Sequence, residues 1–306
     1  MENLLSSLER TMIDSKQNCA KQSNLCCIII PIYKNEITKH ETIALKQCCS
    51  ILRKYTIIFI THDELDCSAY TSICKHADVS FRYEYFKKKY FNGIVGYNAL
   101  LLSNIFYKKF DAYKFMLVYQ LDAYVFRDEL EYWCNQDYDY IGAPWMSFRS
   151  IEENPAFGSK YNLTVGNGGF CLRKIDTFVR FNSPNIFLAY YFFEICIFFN
   201  SLKEKSKKNI FFMFIRCILF PVKIIIDKID SLTRDRKNED VLWAKALQPC
   251  SKMPNAYTAM RFSFEAYCDY LYELSDYKLP FGCHGWFEYY RWKLFWKKII
   301  PSDGFI

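Results

Sequence analysis

No two of the 14 cysteines in this 306-residue chain are spaced C-x-x-C, and no G-x-G-x-x-G follows the first buried strand. The first absence excludes zinc-knuckle and thioredoxin chemistry; the second argues against a nicotinamide or flavin cofactor. The N-terminal MENLLSSLERTMIDSKQN has no apolar core of signal-peptide length. No RNA- or DNA-binding motif, internal repeat or Gly/Ser linker is present, and there are only four histidines. Although 14 cysteines resemble a disulfide framework by count, Cys26–Cys27 and Cys48–Cys49 lie inside apolar runs. They read as buried reduced thiols behaving as small hydrophobes, in a protein of a reducing, cytoplasmic compartment.

A hydrophobic fraction of 51% excludes wholesale disorder, and the length suffices for a large α/β core. The formal charge of +7 is spread along the chain, apart from KEKSKK at 203–208 and WKLFWKK at 292–298. Such a distribution favours phosphate-bearing small ligands or an anionic membrane surface over a nucleic-acid groove. The 24 Tyr and 28 Phe carry no functional weight, because coding composition alone can produce them.

Residues 1–24 read as a polar tail. LCCIIIPIY (25–33) and TIIFITH (56–62) read as buried strands, VSFRYEY (79–85) as a half-exposed one, and KFMLVYQLDAYVF (114–126) as a central strand running into a turn. Helices are expected over 38–53, 64–76 and 93–110, after Arg127, and over 239–248. The 146–164 segment reads as a loop, GGFCLRK as a strand starting directly after its glycines, and 184–230 as an aromatic-rich helical insertion. Strands alternating with helices give βαβ units, a mostly parallel central sheet flanked by helices, and a Rossmann-like nucleotide-binding layout.

Four polar clusters interrupt this pattern. Asp122 ends a buried strand, where open α/β sheets bind ligands and where a carboxylate can hold Mg²⁺ or Mn²⁺ on a pyrophosphate, or a ribose hydroxyl. Capping the next turn is the plainer role for such an Asp. VGNGGF (165–170) offers a turn whose missing side chains admit a ligand, and N-G-G is also simply a good turn. NEDV (238–241) places Glu239 and Asp240 at a helix start, where carboxylates are stabilised anyway; one of them facing a cleft could accept a proton from a hydroxyl. His284 lies between Gly282 and Gly285 in LPFGCHGW, where a tightly folded backbone or ordinary packing would serve.

The order YQLDAYVF, DYIGAPW, VGNGGFCLRK, NEDVLWA, RFSFE, PFGCHGW resembles the GT-A family of nucleotide-sugar-dependent glycosyltransferases. More narrowly, it is similar to a family of uncharacterised predicted glycosyltransferases, over residues 25–290. The resemblance implies a single GT-A-like domain over 25–290, with 291–306 a basic aromatic segment. It implies Asp122 and Ala123 at the donor, Gly168 and Gly169 near the donor sugar, and Asp240 as catalytic base of an inverting transfer. His284 would join Asp122 at a Mn²⁺ or Mg²⁺ ion. Tyr33, Asp63 and Asn98 would hold the nucleotide, while Trp145 and Glu239 would line the acceptor pocket. The expected partners are a nucleoside diphosphate sugar and a saccharide or lipid-linked acceptor. One departure stands out: Tyr124 occupies the place of the second acid of the DxD turn, which weakens the expectation of metal dependence.

Two other function classes compete. A nucleotidyltransferase or nucleotide-sugar pyrophosphorylase would need a glycine-rich basic loop after the first strand, and IPIYKNEITKH supplies none. A non-catalytic nucleotide-sugar binding module is favoured by Tyr124. The apolar run at 209–226 carries Arg216, Pro221 and Lys223, so it reads as a buried or interfacial helix. With Arg291, Lys293, Lys297 and Lys298 among C-terminal aromatics, peripheral contact with the inner face of the membrane is expected.

Overall fold

The computed structural model describes residues 24–147, 156–157, 165–181, 238–248, 251–288 and 290–301. Residues 1–23 of the tail expected over 1–24, and the insertion at 184–230 with its 209–226 run, lie outside the described residues.

The chain begins with β1 (Cys26–Pro31), in which every residue is buried. Helix α1 (Lys39–Ile51) opens on a capping box: the Thr38 hydroxyl accepts from the Glu41 N–H at 3.3 Å, and Glu41 Oε2 accepts from the Thr38 N–H at 2.8 Å. Then come β2 (Ile57–Thr61), α2 (Ser68–His76) and the half-buried β3 (Phe81–Tyr85). The single helix expected over 93–110 is in fact two, α3 (Gly93–Leu101) and α4 (Asn104–Lys108). Ser103 causes the break: its hydroxyl accepts from the Phe106 N–H at 3.3 Å, capping a second helix where apolar periodicity alone suggests continuation.

Next are β4 (Phe115–Tyr119), β5 (Tyr124–Val125), α5 (Leu130–Asn135) and β6 (Tyr140–Ile141). Part of the expected 146–164 loop is a short antiparallel pair, β7 (Met146–Ser147) with β8 (Ala156–Phe157). The described chain continues with β9 (Phe170–Lys174), α6 (Ile175–Phe181), α7 (Glu239–Leu247), α8 (Ala256–Phe262), β10 (Ser263–Phe264), α9 (Cys268–Leu274), β11 (Gly282–Cys283) and α10 (Tyr290–Trp296).

The central sheet has the order β3-β2-β1-β4-β9-β6. Strands β1 to β4 are mutually parallel and β9 runs antiparallel to β4, so the fold is mixed α/β with a mainly parallel sheet flanked by helices. Both faces are covered, which explains the unbroken apolar runs. Cys26, Ile28, Leu117 and Tyr119 pack with Leu45, Cys48 and Tyr70 of α1 and α2. Their neighbours Cys27, Ile29, Met116 and Val118 pack on the other side with Leu100, Phe106, Phe178 and Trp243. Winding reverses between β1 and β4, so the crevice beyond their carboxyl ends is the topological switch point where such sheets bind ligands.

A smaller sheet, β10-β11-β5, returns the C-terminal part of the chain to the turn after β4. Its aromatic cluster buries Tyr124, Phe264 and Trp286. Trp296 of α10 is fully buried and stacks on Phe126 at 5.5 Å, so part of the C-terminal aromatic face packs inward, while Lys297 and Lys298 are exposed. Among the described residues no helix is long and apolar enough to cross a membrane. The described cysteines, Cys49 and Cys74 included, are free and buried.

Candidate active site

Strand β4 ends in a tight turn in which the Ala123 N–H donates to the Gln120 carbonyl at 2.9 Å, bringing Asp122 out beyond the sheet. Pairing of β11 with β5 sets Cys283 opposite Tyr124, and the Trp286 N–H reaches the Asp122 carbonyl at 3.3 Å. His284 thereby meets Asp122, with Nε2 3.1 Å from Asp122 Oδ2 and 3.3 Å from Gln120 Oε1. On the ring's other edge, Nδ1 lies 3.0 Å from Glu265 Oε1.

The glycine pair before β9 joins this cluster to the acidic helix start. A Cβ on Gly169 would sit 1.9 Å from His284 Nε2; one on Gly168 would sit 2.9 Å from Glu239 Oε1 and 3.0 Å from Asp240 Cβ. The Gly168 N–H donates to Asp240 Oδ2 at 3.1 Å. What these two positions demand is room, since the positive φ of the loop belongs to Gly166, at 125°. The room is taken by side chains of the protein itself, an imidazole on one side and a carboxylate on the other.

The electrostatics differ between the two sides. Burial, then the charges of Glu239 and Glu265, raise the Asp240 carboxyl to about 7, against the pull of the Val241 and Gly168 N–H donors. Burial pushes His284 down, but Asp122 and Glu265 outweigh it and hold the imidazole well above its ordinary value. Asp122 likewise loses by burial and gains more from His284, so its carboxyl lies below the usual range. The two carboxyls are thus driven apart, one toward a proton acceptor at neutral pH and one toward a permanent anion.

Glu239 has a different position from its neighbour. Its carboxylate receives Arg173 Nη2 at 2.6 Å and Nη1 at 3.1 Å, in a pair buried under α7. Arg173 also donates to the Tyr107 hydroxyl at 2.7 Å and lies over Tyr140 and Phe178 at 5.3 and 5.4 Å. Asn98 reaches across from α3, its Oδ1 accepting from the Glu239 N–H at 3.3 Å, so it caps α7 from outside.

Of the remaining expected residues, Tyr33 stands 60% exposed just past β1, close enough that Asp122 contributes, after burial, to raising its phenol. Asp63 is exposed past β2. Ala123 is fully buried, and Trp145 packs half-buried against the cluster under α3 and α7. Tyr124 faces the aromatic cluster, 6.1 Å from the Trp286 ring, so the place of the second DxD acid points into packing instead of the cleft. Gln120 and Glu265 are members of the site that the sequence reading missed. The available signals were an amide beside Asp122 in an otherwise apolar run and the single acid of RFSFE.

A divalent cation fits the Asp122–His284 pair in one respect: 3.1 Å is the separation of two ligands at right angles around an ion with bonds of about 2.1 Å. Among the described residues no group of three His, Cys, Asp or Glu side chains could hold a metal, so phosphates and water would complete the shell.

No curated protein matches the chain. Among solved structures it is similar to the apo-form glycosyltransferase GlyE of Streptococcus pneumoniae TIGR4, with a TM-score of 0.45, 11% identity, and coverage of 91% of this chain and 61% of that one. It is also similar to the galactosyltransferase LgtC in complex with donor and acceptor sugar analogues, with a TM-score of 0.42, 12% identity, and coverage of 84% and 86%. Likenesses below a TM-score of 0.5 carry no weight for chemistry, and the chain spans less than two thirds of GlyE. The match to a sequence family is of another kind: residues 80–284, from just before β3 to His284, fit the family described as "Protein of unknown function (DUF5672)". That span takes in Asp122, both glycines, Asp240 and His284, and the chain belongs to the DUF5672 family.

Proposed function

We propose that the chain is a glycosyltransferase that moves a sugar from a nucleoside diphosphate sugar to a hydroxyl of a saccharide or lipid-linked saccharide, with inversion. The observation that carries this reading is the convergence of Asp122 with His284 on one side of Gly168–Gly169 and of Asp240 on the other. The donor lies across the ends of β1 and β4, with Tyr33 and Asp63 on the nucleotide side. Asp240, whose carboxyl lies at about 7, takes the proton of the acceptor hydroxyl as that oxygen attacks the anomeric carbon from the face opposite the diphosphate. Asp122 and His284 would hold Mn²⁺ or Mg²⁺, which when bound neutralises the departing diphosphate. If the acceptor is lipid-linked, the exposed Lys297 and Lys298 are the charges that would meet an anionic membrane.

The test is a thermal-shift screen of UDP-, GDP-, CMP- and dTDP-sugars with and without Mn²⁺. A ligand that binds only the folded chain at 100 times its Kd stabilises it by about 2.7 kcal/mol, which a melting curve detects. One nucleotide class is expected to raise Tm, and more so with Mn²⁺. No shift with any donor would remove the proposal.

A further inference from the structure

The RFSFE segment holds an acid to which the transfer mechanism assigns no step. Glu265 follows β10, which pairs in parallel with β11 so that Phe264 lies beside Cys283, and the His284 N–H donates to the Phe264 carbonyl at 2.9 Å. The two side chains that leave this tie meet at Glu265 Oε1 and His284 Nδ1, 3.0 Å apart. Nε2 faces two oxygens, Asp122 Oδ2 and Gln120 Oε1. The ring edge at Nε2 is also the one pressed against Gly169.

An imidazole can turn over about its Cβ–Cγ bond, exchanging nitrogens for ring carbons. In the turned ring Nδ1 leaves Glu265 and a carbon replaces Nε2 opposite Asp122 and Gln120. Glu265 is the group that makes the Nδ1 edge selective, because an acceptor there is served only by a nitrogen-bound proton. Partners of this kind, behind a histidine that works through its other nitrogen, set both the orientation and the basicity of the ring.

We infer that Glu265 is a positioning residue: it pins His284 through Nδ1, so that Nε2 is presented to Asp122, Gln120 and whatever occupies the cleft beside them. The inference rests on the proposed transfer only for the use made of Nε2; the pinning is a property of the side chains. Glu265 touches no reacting atom: it holds His284 by contact, and its charge also contributes to raising Asp240.

The experiment compares Glu265→Ala and Glu265→Gln with the wild type by two readouts independent of turnover. In nitrogen-resolved NMR, the Nδ1–H signal of His284 is expected to be protected from exchange in wild type and in Glu265→Gln, whose amide oxygen also accepts, and lost in Glu265→Ala. Titration with Mn²⁺ alone is expected to show about 10–100-fold weaker binding in Glu265→Ala and a smaller loss in Glu265→Gln. An Nδ1–H signal unchanged in Glu265→Ala, or an equal loss of it in both variants, overturns the inference. If the wild type transfers no sugar while the NMR pattern holds, the transfer proposal fails and the role of Glu265 stands.

Discussion

Replacing Asp240 with asparagine is expected to cut sugar transfer by about 10²–10⁴-fold, the usual worth of a positioned general base, and to make the chain more stable at the same time. Both effects have one cause. The carboxyl is buried beside Glu239 and Glu265, which lifts it from 3.8 to about 7 and keeps it basic enough to take a proton from a hydroxyl. The folded chain therefore holds that proton more tightly than the unfolded chain does. The stability contributed by protonated Asp240 is complete below pH 3.8 and is lost as pH rises through about 7. At 1.36 kcal/mol per pH unit, the loss above that range is on the order of 4 kcal/mol. Melting curves of Asp240→Asn and wild type should coincide below pH 3.8, diverge as pH rises from there to about 7, and stay apart above it, with the variant higher. Wild-type kcat should rise as pH passes through about 7, because Asp240 works only when ionised in the folded chain. A variant with normal turnover would remove Asp240 from the mechanism.

Replacing Glu239 with alanine is expected to do the reverse, costing about 3–5 kcal/mol of stability. Arg173 is fully buried, with Glu239 as its carboxylate partner on both Nη atoms. Removing one member of a buried pair strands the other charge, whereas replacing both with apolar groups of similar volume costs far less. The Glu239→Ala, Arg173→Met double variant should therefore recover much of the loss, as read by urea unfolding. Equal losses in the single and double variants would show that the ion pair is not what the site loses. Because Glu239 also helps raise Asp240, the charge loss should move the kcat profile to lower pH in any variant that folds.

The central strands were legible in the sequence because a parallel sheet covered on both faces leaves long apolar runs, and Cys26 to Pro31 and Phe115 to Tyr119 are such runs. The break between α3 and α4 was not, because one serine hydroxyl decides it within unbroken apolar periodicity. Asp122, Asp240 and His284 could be singled out from the order of short motifs around them. Glu265 and Gln120 could not, since their roles depend on strand pairing that brings β10, β11 and the β4 turn together. Arg173 shows the same limit: a lone arginine in the FCLRK strand is conspicuous, yet its partner lies 66 residues away on α7. Tyr124, which in sequence looks like a damaged acid motif, is in three dimensions an aromatic position of a small sheet.

The most direct measurement is release of nucleoside diphosphate, without acceptor, from the donor sugar that stabilises the chain most, in wild type, Asp122→Asn and His284→Ala. Slow release by the wild type and loss of it in both variants is the result expected if these side chains form one donor site. Release that is undiminished in both variants, or absent from the wild type with every donor, would contradict it.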